Sequence, residues 1–212
     1  MDQMDQSVRK EFEELVERTR EEAENIMQVE MPKKLVFLND FSREILDSIS
    51  EVSTDVNMES TTIASNEKIC KLLERIKQEL WDMINYIITV KFFIMLNQPR
   101  KEDGNTFGVE VQNEIVSDLT DSLESARQIL SDMIQYFSTR GSYVVSSLNN
   151  PHVADFISGV SSFDNKELLL ISQNVIDIRN TYAALYDKIM KNYDKIVKPR
   201  GTHTGLKWDT MY

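Results

Sequence analysis

Only His152 and His203 could exchange protons near neutral pH without a large shift, and Cys70 is the only thiol. Neither histidine has a cysteine or a spaced carboxylate pair beside it, which disfavours catalytic or metal-ligating work at both. A single cysteine excludes a disulfide framework and a multi-thiolate metal site. Cys70 lies beside an apolar helical stripe, where a buried thiol is expected rather than a nucleophile. The stretch Gly104-Asn105-Thr106-Phe107-Gly108 superficially suggests a phosphate loop, but it lacks the closing Gly-Lys-Ser/Thr and follows no strand. Asp103-Gly104-Asn105 lacks the spaced oxygen ligands and final glutamate of a calcium loop, so it reads as an ordinary turn. Acidic pairs such as Glu13 with Glu17 are one helical turn apart, as on a solvated face. These residues point to no catalytic group, no cofactor and no metal.

Something other than chemistry must therefore explain the chain, and its composition says what kind of scaffold it is. With 212 residues, 41% hydrophobic and 28% charged, one domain with a continuous core is expected. Six glycines and four prolines are too few for turn-dense β architectures, which favours long helices. A formal charge of -11 argues against nucleic acid or an anionic membrane as the partner, since both reward clustered Lys and Arg. Met1 to Glu30 is polar and acidic, with no apolar run of signal-peptide type. The most apolar stretch, Met83 to Leu96, is interrupted by Asn85 and Lys91 and falls short of the ~20 residues of a membrane span. A reducing compartment, cytoplasmic or nuclear, is expected.

Helical spacing of apolar residues marks four rods. The first, about 8–52, carries Phe12, Leu15, Ala23 and Ile26, then Leu35, Leu38, Phe41 and Ile45, with a kink expected near Pro32. A connector rich in Ser, Thr and Asn leads to the second, about 66–97, with Ile69, Leu72, Leu73, Ile76, Leu80, Met83 and Ile87. Pro99 and the turn residues Asp103, Gly104 and Asn105 break the pattern before a third helix, about 107–145, with Val111, Ile115, Leu119, Leu123, Ala126, Leu130, Met133 and Phe137 on its stripe. The fourth, about 164–198, alternates three- and four-residue steps through Leu168, Ile171, Val175, Ile178, Tyr182, Leu185 and Ile189. Asp164 and Glu167 resemble a capping box at its start, and Lys188, Lys191, Lys195 and Lys198 suit the negative end of its dipole. The fold class that follows is all-α, an antiparallel four-helix bundle of long helices.

The connector between the second and third helices carries a more specific signal. Pro99-Arg100-Lys101-Glu102-Asp103-Gly104-Asn105-Thr106-Phe107-Gly108-Val109-Glu110-Val111-Gln112 resembles the activation loop of the 11S (REG) proteasome activators. Three further stretches agree in order: Pro32-Lys33-Lys34-Leu35, Pro151-His152-Val153, and Arg179-Asn180-Thr181-Tyr182-Ala183-Ala184-Leu185-Tyr186 running on to Lys198-Pro199-Arg200-Gly201. The chain ends in Met211-Tyr212, and members of that family often end in an aromatic residue.

The resemblance implies one 11S activator domain over 1–212, self-association into a seven-membered ring, and binding to the α-subunits of the 20S proteasome without ATP. It assigns an activation loop to 98–108, with Glu102, Asp103, Gly104, Asn105, Thr106, Phe107 and Gly108 as its residues, and a binding tail to 199–212. Thr210, Met211 and Tyr212 would dock between α-subunits through main-chain hydrogen bonds and the terminal carboxylate. Gly104 and Gly108 would help shape a compact turn around Asn105. Thr106 stands where the family usually has a second Asn, and Leu206-Lys207-Trp208-Asp209 lengthens the tail. The rival reading is a non-proteasomal helical scaffold that binds through exposed helix faces. Stimulation of latent 20S proteasome separates the two.

Overall fold

The computed structural model describes residues 6–49, 64–100 and 106–199, without the side chains of residues 48 and 49. All regular structure among them is helical. The elements are α1 (Gln6–Asn25), a π turn (Ile26–Glu30), α2 (Met31–Ile49), α3 (Glu67–Leu96), α4 (Thr106–Asn149), α5 (Ala154–Lys191) and α6 (Tyr193–Val197).

The boundaries have local causes. The interruption expected near Pro32 takes the form of a π turn, in which Met31 N–H reaches back five residues to the Ile26 carbonyl. The extra residue enters the ladder directly before the proline, which has no N–H with which to continue it. Of the connector expected over Val52 to Ser65, residues 52–63 lie outside the described residues, and Ala64 and Ser65 lead into α3. Asn66 caps α3, its Oδ1 accepting from Ile69 N–H at 3.2 Å. Leu96 is followed by a turn in which Gln98 N–H reaches the Met95 carbonyl, and Pro99 stops the chain from re-entering a helix.

Two boundaries of the expected fourth helix are corrected. It begins at Ala154 rather than near 164, directly after the Pro151-His152 turn. Asp164 and Glu167 are thus not a cap. Val160, Asp164, Leu168, Ile171 and Val175 form one buried stripe, and Asp164 is the polar member whose charge made the stripe seem to begin after it. The helix also stops at Lys191. Asn192, with φ -115° and ψ 13°, breaks it before the short α6. The Asn192 side chain donates to the Lys188 carbonyl, and its own carbonyl accepts from Lys195 and Ile196.

The helices contribute to two compact units, 1–33 with 85–123 and 182–212, and 34–84 with 124–181. Along the chain the first unit takes α1, the π turn and the start of α2, then the end of α3, the start of α4, and the end of α5 with α6. Successive helices therefore enter and leave it in alternate directions, as in an antiparallel four-helix bundle. Its core is built on Met27, Ile94, Val109, Leu119, Ile189 and Ile196. The second unit is built on Leu38, Phe41, Ile69, Ile76, Leu80, Met133 and Ile171. Cys70 is only partly buried in α3, less than its place beside the stripe suggests.

The second unit carries most of the buried charge. Asp164 accepts from Arg140 Nε at 2.8 Å, Arg140 Nη2 at 3.2 Å, the Tyr136 hydroxyl at 2.9 Å and Asn66 Nδ2 at 3.3 Å. Its four donors match the lone-pair capacity of a carboxylate. Arg140 Nη1 also donates to the Ala64 carbonyl, tying the entry to α3 into the same network. Burial, followed by donation to Asp164, pushes the Tyr136 phenol far above its usual range. The Tyr136 ring stacks on Phe163 with centroids 5.6 Å apart. Lys34 of α2 pairs with Glu79 and Asp82 of α3, and an exposed pair adds to it, Arg75 forking onto Glu44 while its guanidinium lies 4.1 Å from the Phe41 ring centroid.

Asp164→Asn keeps the shape but leaves the Arg140 charge buried and uncompensated. It should lower stability by about 3–5 kcal/mol, read as a reduced denaturation midpoint at fixed protein concentration. Replacing both Asp164 and Arg140 by leucine and methionine should cost far less than the single change.

Candidate functional site

At one end of the first unit the chain leaves α3, enters α4 and ends α6, and the side chains there are unusually polar for a helix junction. α6 terminates at Val197, so its last carbonyls lack intrahelical donors. Asn97, just beyond α3, donates from Nδ2 to the Ile196 carbonyl at 2.6 Å and to that of Val197 at 2.9 Å. Gln112 of α4 donates from Nε2 to the same Ile196 carbonyl at 3.0 Å. Gln98 Nε2 donates to Asn113 Oδ1 at 2.7 Å, joining the exit from α3 to α4. Gln112 is 0% exposed, and its Oε1 has no hydrogen-bond partner among the described residues.

The expected activation loop over 98–108 meets this junction on both sides. Glu102, Asp103, Gly104 and Asn105 lie outside the described residues. Thr106, Phe107 and Gly108 lie in the first turn of α4, which begins one residue before the expected start near 107. Phe107 is 66% exposed, with Lys195 Nζ of α6 4.5 Å from its ring centroid. Gly108 has no left-handed backbone, and its role differs from the turn geometry expected of it. A Cβ placed there would come within 2.4 Å of the Pro199 carbonyl oxygen. Glycine is needed at 108 because the strand of chain leaving α6 passes against the helix backbone. Thr210, Met211 and Tyr212 lie outside the described residues, whereas Pro199, where the expected tail begins, is held at this junction.

Neighbouring ion pairs join the end of α5 to α4. Lys188 donates to Glu114 at 2.7 Å and to Asp118, and these bonds, Asp118 first, raise its ammonium above the usual lysine range. Lys191 pairs with Asp187 at 2.5 Å. The lysines read as dipole partners thus have specific carboxylates at 188 and 191 and an aromatic ring at 195. Gln28 donates to the Tyr193 hydroxyl at 2.8 Å, joining the π turn to α6. Burial, then the Glu24 carboxylate, raises the Tyr193 phenol, and the Gln28 donation opposes them.

Sequence reading missed Asn97, Gln112 and Lys195 as parts of this junction. One signal was present: Val109, Gln112, Ile115 and Leu119 form the buried stripe of α4, so an amide sits where an apolar residue is expected. Val111, read as the core position, is half-buried. His152 is exposed in the turn before α5. Among the described residues no group of three or more His, Cys, Asp or Glu could hold a metal ion. No described helix is long and apolar enough to cross a membrane.

The family described as proteasome activator PA28, C-terminal, matches residues 62–206. The chain belongs to the PA28 proteasome activator family. Proteasome activator complex subunit 3 of Homo sapiens is 28% identical over 252 aligned positions, covering 99% of this chain and 98% of that protein. The Gallus gallus subunit 3 is 34% identical over 155 positions, 73% of this chain and 59% of its own. The 11S subunit PA28 of Plasmodium falciparum matches with a TM-score of 0.85 at 28% identity, over 94% of this chain and 99% of that one. PA26 from Trypanosome brucei, solved in complex with the yeast 20S proteasome, shares the fold with a TM-score of 0.68 at 13% identity, over 87% of each chain.

Gly108→Ala gains helix propensity worth about 1 kcal/mol but forces a Cβ onto the Pro199 carbonyl, an overpacking that costs about 1–3 kcal/mol. A net loss in thermal stability is expected. Gly141→Ala, at a helical glycine with nothing within 4 Å, should instead stabilise the protein by about 0.5–1 kcal/mol in the same assay.

Proposed function

We propose that this PA28-family chain is an ATP-independent activator of the 20S proteasome, a regulator and not an enzyme, acting in the cytoplasm, the nucleus or both. It assembles into a seven-membered ring that docks on the α-ring of the 20S particle. The tail ending in Thr210, Met211 and Tyr212 binds between α-subunits, and the loop around Asn105 opens the gate. The observation that carries this reading is the junction of Asn97, Gln112, Gly108 and Pro199: the flanks of the proposed loop and the root of the proposed tail leave the protein from one hydrogen-bonded cluster. Both segments would then meet a single partner surface.

Ring assembly has its own support. A closed ring of identical subunits needs two unlike faces on each. The first unit has an exposed stripe on α1, Val8, Phe12 and Leu15, and another on α3, Ile88, Phe92 and Met95, each with helical i, i+4, i+7 spacing. The first eighteen residues hold no fully buried side chain among those described, and so short a helix is marginal by itself in water. A neighbouring subunit would cover that stripe.

The energetics suit weak, repeated contacts. Shifting a gate from 1:99 to 99:1 requires about 5.5 kcal/mol of differential affinity, or roughly 0.8 kcal/mol from each of seven loops. Seven tails on one ring supply the binding through avidity.

Asn105→Tyr should leave ring sedimentation and docking unchanged while abolishing stimulated hydrolysis of fluorogenic peptides; full stimulation by the variant would remove the loop assignment. Deleting Met211 and Tyr212 should abolish co-sedimentation with the 20S particle, and binding that survives the deletion would remove the tail assignment.

A further inference from the structure

We propose that Asn97 and Gln112 are positioning residues that lock both flanks of the activation loop to the root of the tail through the Ile196 carbonyl, so that docking of the tail sets where the loop is presented. The inference rests on the activator reading above and adds to it a coupling between its two segments.

Three observations carry it. The Ile196 carbonyl is shared by two amides, one immediately after α3 and one on the second turn of α4. These elements bracket the loop, so a displacement of α6 is transmitted to both of its ends. Lys195 over Phe107 and Pro199 against Gly108 add two contacts between the same pieces, the latter through backbone, which cannot rotate away. The third observation is the chemistry of Gln112. It lies wholly buried on an apolar stripe, and its Oε1 has no partner among the described residues. A methionine of similar shape would fill that place without stranding an acceptor. The amide is therefore poorly explained by stability and well explained by the carbonyl it holds.

The test separates affinity from output. Fluorogenic peptide hydrolysis by latent 20S proteasome is titrated with full-length activator, giving a half-saturating concentration, which reports docking, and a plateau, which reports gate opening. Gln112→Met should have a melting temperature equal to or above that of the unaltered chain. Its half-saturating concentration should change less than about twofold while the plateau falls about three- to tenfold, the loss of a neutral hydrogen bond. Asn97→Ala, which removes two bonds to the helix end, should lower the plateau at least as much. Because both amides hold one carbonyl, the double variant should lose less than the product of the two single losses. An unchanged plateau in both single variants would overturn the proposal, as would a raised half-saturating concentration with a plateau recovered at high activator. Losses that multiply in the double variant would overturn the shared lock. If the unaltered chain binds the 20S particle but does not stimulate it, or does neither, the activator reading itself fails, and this inference with it.

Discussion

A helix cannot satisfy its own last carbonyls, and a protein built only of helices must find partners for those carbonyls wherever an end is buried. The end of α6 meets this constraint with side-chain amides from Asn97 and Gln112. Satisfying it draws together three pieces of chain distant in sequence. Ile196 itself is fully buried, so the capped end is also the apolar plug of its unit. The close approach of Pro199 to Gly108 and the position of Lys195 over Phe107 both follow from where that plug is seated.

The second unit shows the same principle with full charges. Asp164 stands on the buried stripe of α5, and its cost of desolvation is offset by four donors and the Arg140 charge. Apolar stripes slide and rotate past each other at little cost, whereas a carboxylate that must meet a guanidinium, a phenol and an amide from α3 and α4 allows one register. Asn66 serves two roles there, capping α3 and binding Asp164. The helix begins where the network requires it.

For an activator this division is physically apt. Loops that each contribute less than about 1 kcal/mol to a gate must be held where they act, since any freedom they retained would consume so small a gain. Rigid roots and weak tips satisfy that requirement. Lys188 at the end of α5 contributes to that rigidity by spanning Glu114 and Asp118 of α4.

Periodicity and punctuation in the sequence determined the four rods, the break at Pro99, and the all-helical class. These are local matters, set by side-chain spacing and by backbone groups that proline removes. The resemblance of residues 99–112 to the 11S loop likewise belongs to the sequence alone. Only the tertiary structure decided what the polar residues on the apolar stripes were for. Asp164 looked like a cap because a carboxylate is expected at a helix start, and Gln112 was passed over in favour of Val111. Asp164 is buried because donors from other elements compensate it, and Gln112 is buried where its amide reaches the Ile196 carbonyl; no window along the chain contains those partners. Gly108 is a further instance: its sequence context suggested a turn, but it is a glycine because the carbonyl of Pro199, 91 residues later, leaves no room for a Cβ. Spacing reports which face of a helix is apolar; only packing reports what that face meets.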